Sequence, residues 1–83
     1  MKQFIRSSKA LGSVIKRVRK AKNIGQTAVG SAFKIDQGTV SSIENGAPGT
    51  RLETVFRILA ALDLEMIIQP RKVDKKNLKK EEW

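Results

Sequence analysis

Apolar residues recur early in the chain with the spacing of one helical face. Leu11, Val14, Ile15 and Val18 form an i, i+3, i+4, i+7 set, with Lys16, Arg17, Lys20 and Lys22 on or beside the other face. Ser7 or Ser8 can cap the start of this helix, and Asn23 can take the left-handed conformation that stops it. A second helix is predicted from Gly25 or Gln26 to Phe33, burying Val29, Ala32 and Phe33, with the small residues Ala28 and Gly30 at a close helix crossing. Lys34 and Ile35 then form a turn. Asp36 is suited to N-cap a third helix that buries Val40 and Ile43, exposes Gln37, Gly38, Ser41 and Ser42, and ends at Gly46 ahead of Pro48 and Gly49. Thr50 and Glu53 have the spacing of a capping box and introduce Leu52, Val55, Phe56, Leu59 and Leu62, a stripe expected to form much of the core before Asp63 ends the helix.

The pattern changes after Asp63. Leu64, Met66 and Ile68 would share one face of a strand, with Ile67 opposite between Glu65 and Gln69. A lone strand leaves its backbone groups unpaired on both edges. Three readings are open: pairing with the same segment of a second subunit, pairing with residues 3–5, or a last turn of helix. The first is the simplest, and it makes Leu64, Met66, Ile67 and Ile68 dimerisation residues. The expected fold is therefore mainly α, a compact helix-turn-helix domain with a C-terminal β-strand pairing across a homodimer. Residues 1–7 form a short arm, 8–63 the domain, 64–70 the dimerisation strand and 71–83 a flexible charged tail. That tail ends in Trp83, the chain's only tryptophan, placed there either by chance or as an anchor for a partner's pocket.

Charge adds a direction to this outline. The 83 residues carry a net charge of +9, yet residues 1–34 hold nine Lys or Arg and no acid, whereas residues 35–69 net −3 and residues 70–83 net +3. A basic N-terminal third attracts phosphates at long range. Cysteine and histidine are both absent, which removes disulfides and the commonest metal ligands and general base. Asp36, Glu44 and Glu53 sit near separate helix ends with no nucleophile–base pairing, so neither an enzyme nor a cofactor is expected. No apolar run is long enough to span a membrane, and the LGSVI stretch is interrupted by Arg17 and Arg19 before any signal cleavage site. A soluble cytoplasmic protein is the expectation.

Two short helices joined by a tight turn, the second polar outside, suit a DNA major groove. The Gln37 side-chain amide offers one donor and one acceptor to match adenine N6 and N7. Gly38 permits close approach to a base edge, Thr39 brings a methyl and a hydroxyl, and Ser41 and Ser42 can reach bases or phosphates. Gln26 stands where a backbone phosphate is a natural partner, and Lys34, Lys9 and Arg6 are further phosphate candidates. The alternative is that these are ordinary solvated residues of a protein-interaction module.

Residues 11–62 resemble the Cro/phage-repressor, or Xre, helix-turn-helix family. The likeness lies in the Gln26 helix start, the Ile35–Asp36–Gln37 junction and the run from Val40 through Ser41, Ser42, Ile43, Glu44 and Asn45 to Gly46. It implies a phage-repressor-like fold in which Gln37 reads adenine while Gln26 supports it and contacts a phosphate. Most of the chain is also similar to HipB-type antitoxins of HipBA toxin–antitoxin systems. The shared pieces are Gln37 to Ser41, Phe56–Arg57–Ile58–Leu59, Leu62–Asp63–Leu64 leading to a strand, Asn77–Leu78 and Trp83. That resemblance implies a homodimeric autorepressor that binds palindromic operator DNA and a HipA-like serine/threonine kinase toxin, Trp83 being the partner-binding residue. The alternative is a stand-alone Xre-type repressor. Two departures stand out. Asp36 occupies a position where the antitoxins can carry a basic base-contacting residue, and Gly38 replaces their alanine, so the resemblance does not carry over an operator sequence.

Overall fold

A computed structural model of the chain describes residues 2–71 and contains four helices: α1 (Ser8–Ala21), α2 (Gln26–Ser31), α3 (Gln37–Glu44) and α4 (Leu52–Ala61). Their ends follow from local chemistry. The Ser7 hydroxyl accepts from the Ala10 N–H at 3.0 Å and opens α1, and Asp36 Oδ1 accepts from the Thr39 N–H at 2.8 Å and opens α3. Every helix stops by the same device. A residue with positive φ (Asn23, Lys34, Gly46 or Asp63) lets the next N–H turn back to a carbonyl five residues earlier. The bonds are Ile24 to Arg19, Ile35 to Gly30, Ala47 to Ser42 and Leu64 to Leu59, at 2.7–3.2 Å.

These stops aim the next apolar residue back at the core, which comprises Ile15, Val18, Val29, Ile35, Val40, Ile43, Val55, Ile58, Leu59 and Leu62. Leu11, Val14, Ile24 and Leu64 pack against its edge. At full burial an aliphatic side chain of this kind contributes about 1.5–3 kcal/mol. Helix α1 lies so close to α3 that a Cβ at Gly12 would overlap the Ile43 and Glu44 backbone carbonyls.

Several expectations are corrected. Helix α2 ends at Ser31, so Ala32 and Phe33 are exposed, and Ile35 takes the core position expected of Phe33. The reversal at Lys34 is the cause, because it turns the chain inward one residue after Phe33. Ala28 is also exposed and mediates no crossing; the tight spot is Gly30, where a Cβ would strike the Ile35 carbonyl. In α4 the inward face is Val55, Ile58, Leu59 and Leu62, leaving Leu52 and Phe56 on the exposed flank. The capping box does not form. Arg51 holds the N-cap position without a side-chain bond, Thr50 Oγ1 donates to the Ala47 carbonyl at 3.1 Å, and Glu53 pairs with Arg57.

Residues 64–71 are neither helix nor strand in the single chain, which removes the reading of a last helical turn. No hydrogen bond joins them to residues 3–5 among the described residues. Leu64 is half-buried against the core, whereas Met66, Ile67 and Ile68 are exposed. Trp83, Asn77 and Leu78 lie outside the described residues.

Candidate nucleic-acid interface

The first residues of α2 and α3 are the two glutamines, and the turn between the helices sets their side chains together. Gln37 Nε2 donates to Gln26 Oε1 at 2.8 Å. Gln26 Nε2 in turn donates to Glu44 Oε1 at 3.0 Å. Glu44 accepts both prongs of the Arg19 guanidinium, from Nε at 2.6 Å and from Nη2 at 3.0 Å, and Arg19 Nη1 donates to the Ile24 carbonyl at 2.8 Å. One hydrogen-bonded row thus runs from a buried ion pair on α1 and the end of α3 to an exposed amide at the start of α3.

The inner end of the row is anchored firmly. Arg19 and Glu44 are 7% and 6% exposed, so neither charge can fall back on water. Burial alone would push the Glu44 carboxyl up. The hydrogen bonds from Arg19 and Gln26, with the Arg19 and Lys16 charges, outweigh it and hold the group below its ordinary value. The hydrogen bond to Glu44 raises Arg19 correspondingly. Among the described residues no buried side-chain nitrogen or oxygen lacks a partner. Arg19 and Glu44 were not among the candidate site residues. Their sequence signal was available: each follows an inward-facing residue, Ile15 or Val40, by one helical turn, placing opposite charges on two apolar faces.

The outer end is chemically unsaturated. Gln37 spends one N–H on Gln26 and retains its second N–H and its carbonyl oxygen, the pair that matches adenine N7 and N6. Gly38 and Ser42 are fully outward, and Asn45 continues that row at the next turn. A Cβ at Gly38 would meet only Asp36 Oδ1 at 3.4 Å, so nothing within the chain requires glycine there. Thr39 and Ser41 are half-buried at the margins of the face. Asp36 is committed to the helix: the Thr39 backbone N–H lowers its carboxyl, aided by the Gly38 N–H.

The basic candidates are spread around this face. Lys34 is exposed in the turn between α2 and α3. The start of α1 is tied to the end of α3 by the Ser8 hydroxyl, which donates to the Gly46 carbonyl at 3.2 Å, and Lys9 follows it, exposed. Arg6 lies in the arm before α1 and makes no bond to the glutamine row among the described residues.

Comparison with known proteins places the arrangement in a lineage. The family described as Helix-turn-helix matches residues 15–68. Antitoxin HipB of Escherichia coli strain K12 is 32% identical over 87 aligned positions, covering 98% of this chain and 96% of the relative. Among solved structures, a HipB variant in complex with an O2 20mer superposes with a TM-score of 0.82 at 33% identity, covering 87% of this chain and all of that one. HipB in a HipA–HipB–O2–O3 complex gives 0.81 at 34% identity, with 86% of this chain and all of that one covered. No helix among the described residues is long and apolar enough to cross a membrane. The fold, the paired glutamines and these matches over nearly the full length agree, and the chain belongs to the HipB antitoxin family of helix-turn-helix proteins.

Proposed function

We propose that this chain is a DNA-binding antitoxin and transcriptional autorepressor that binds a HipA-like serine/threonine kinase toxin, is not itself an enzyme and acts in the cytoplasm. The observation that carries the DNA reading is the held Gln37 amide, fixed on one side by Gln26 and open on the other. With its side chain already oriented, Gln37 gives up little rotamer freedom on meeting adenine. Ser41 and Ser42 face the neighbouring base edges or phosphates, Thr39 the edge of the groove, and Gly38 admits close approach. Gln26, through its second N–H, takes a backbone phosphate together with Lys34, Lys9 and Arg6. Asp36 supports α3 and accepts from cytosine N4 where a C·G pair lies beneath it.

A two-fold pair of these surfaces reads a palindromic operator, and residues 64–70 of two subunits join them. Trp83 anchors the kinase. The solved complexes of HipB with O2 and with HipA support both partners.

The decisive experiment is a fluorescence-anisotropy titration on the operator upstream of the gene and on a scrambled duplex. Gln37→Ala is expected to lose about 1–3 kcal/mol of discrimination per half-site while affecting scrambled DNA much less. Equal weakening on both duplexes would remove Gln37 from base reading. Co-purification with the product of the neighbouring gene tests the kinase partner.

A further inference from the structure

Outside the four helices, residues 2–6 on one side and Glu65 with residues 67–71 on the other bound a cleft of about 600 Å³. Neither segment belongs to a helix or strand, and among the described residues neither makes a hydrogen bond. Both walls therefore present unused backbone donors and acceptors. They also present apolar side chains to solvent: Phe4 is 66% exposed, Ile5 39%, Ile67 70% and Ile68 92%. A small domain gains nothing from holding four large apolar residues this way unless something covers them.

We propose that this cleft receives residues 64–70 of a second copy of the chain, so that the N-terminal arm is part of the dimer interface. The inference rests on the proposed dimer and goes beyond it, since that dimer uses the C-terminal segments alone. Three features select this occupant. The walls carry Lys2, Arg6 and Arg71 against one acid, Glu65, and the incoming segment carries a single charge, its own Glu65. Apolar residues at 64, 66, 67 and 68 meet an apolar lining, which a phosphate backbone would leave unsatisfied. Backbone groups on both walls pair best with another extended chain, the chemistry of strand addition. Two-fold symmetry makes the exchange mutual, so both clefts close at once and the assembly stops at two subunits.

The test is sedimentation equilibrium on the full chain, with circular dichroism to confirm that each variant is folded. Phe4→Ser combined with Ile5→Ser changes only exposed arm residues and should raise the dimer Kd by about tenfold or more. Ile67→Pro reports separately on the C-terminal strand. A wild-type chain that is monomeric overturns the dimer reading itself, and this inference with it. A wild-type dimer whose affinity the arm variant leaves unchanged overturns only the arm's role.

Cross-linking gives an independent readout, because the chain contains no cysteine. Mixing two singly substituted chains, Ile5→Cys and Ile68→Cys, should yield a mixed disulfide on oxidation, well above that from an exposed control, Ser31→Cys with Ile68→Cys. Equal yields would mean that the arm does not meet the partner's segment. An arm variant that weakens operator binding with dimer affinity intact would assign the cleft to DNA instead.

Discussion

Replacing Glu44 with alanine tests the inner end of the glutamine row. Glu44→Ala removes the acceptor of two Arg19 bonds and one Gln26 bond, leaving a guanidinium that is 7% exposed without a counter-charge. Breaking a buried pair by removing one partner costs about 3–5 kcal/mol, against about 0–1 kcal/mol for a surface pair. A domain of 83 residues has roughly 4–12 kcal/mol in total, so the variant should lose a large fraction of its stability. Replacing both partners, Arg19→Met with Glu44→Leu, removes the stranded charge and should restore most of the stability. It does not restore the acceptor for Gln26. The double variant should therefore fold yet bind operator more weakly, by about 0.5–1.5 kcal/mol per half-site, because Gln37 is no longer oriented from behind. Urea unfolding measures the first effect and anisotropy titration the second. A Glu44→Ala cost below about 1 kcal/mol would show that the pair behaves as a solvated one and refute the argument. A double variant with wild-type stability and wild-type operator affinity would sever the ion pair from the reading residue.

Acid supplies a related check: the Glu44 carboxyl is lowered in the folded state, so its contribution is complete above the ordinary carboxylate range and is lost as pH falls through the folded value. Unfolding followed against pH should show a steeper acid loss for the wild type than for the Arg19→Met, Glu44→Leu chain. Lys34 holds φ at 59°, which costs a side-chain-bearing residue about 1–2 kcal/mol, whereas glycine costs about 0.5–1 kcal/mol in chain entropy. Lys34→Gly should thus be stabilising by urea titration while weakening DNA binding. Lys9→Gln should lower the slope of log affinity against log salt by about one on operator and scrambled duplex alike, if Lys9 meets a phosphate; an unchanged slope removes it from the contact list. Trp83→Ala should weaken kinase association by about 2 kcal/mol or more in isothermal titration and leave operator binding alone, whereas equal kinase affinities would make the tryptophan incidental.

What could be read along the chain was whatever is settled within a few residues. The caps at Ser7 and Asp36 and the stops at Asn23, Gly46 and Asp63 depend on a side chain or a φ value acting on backbone groups one turn away, and all five form where the residue types point. The periodicity of α1 and the inward Val40 and Ile43 of α3 follow from the same short-range geometry. The pairing of Gln26 with Gln37 was implied by resemblance to phage repressors, not by spacing. Tertiary packing decided the rest. Phe33 and Phe56 are as apolar as any core residue, but the reversal at Lys34 brings Ile35 inward and the seating of α4 favours Ile58, and sequence periodicity cannot rank apolar positions two residues apart. Thr50 lost its cap because α4 begins at Leu52 with Arg51 as N-cap, one residue beyond Thr50, whose hydroxyl donates instead to the Ala47 carbonyl. Arg19 and Glu44 are 25 residues apart, and the periodicity that sets each on an apolar face does not pair one with the other. Only when α1 and α3 close at Gly12 does burial strip both of water, so that each becomes the other's solvent and the support on which the two glutamines stand.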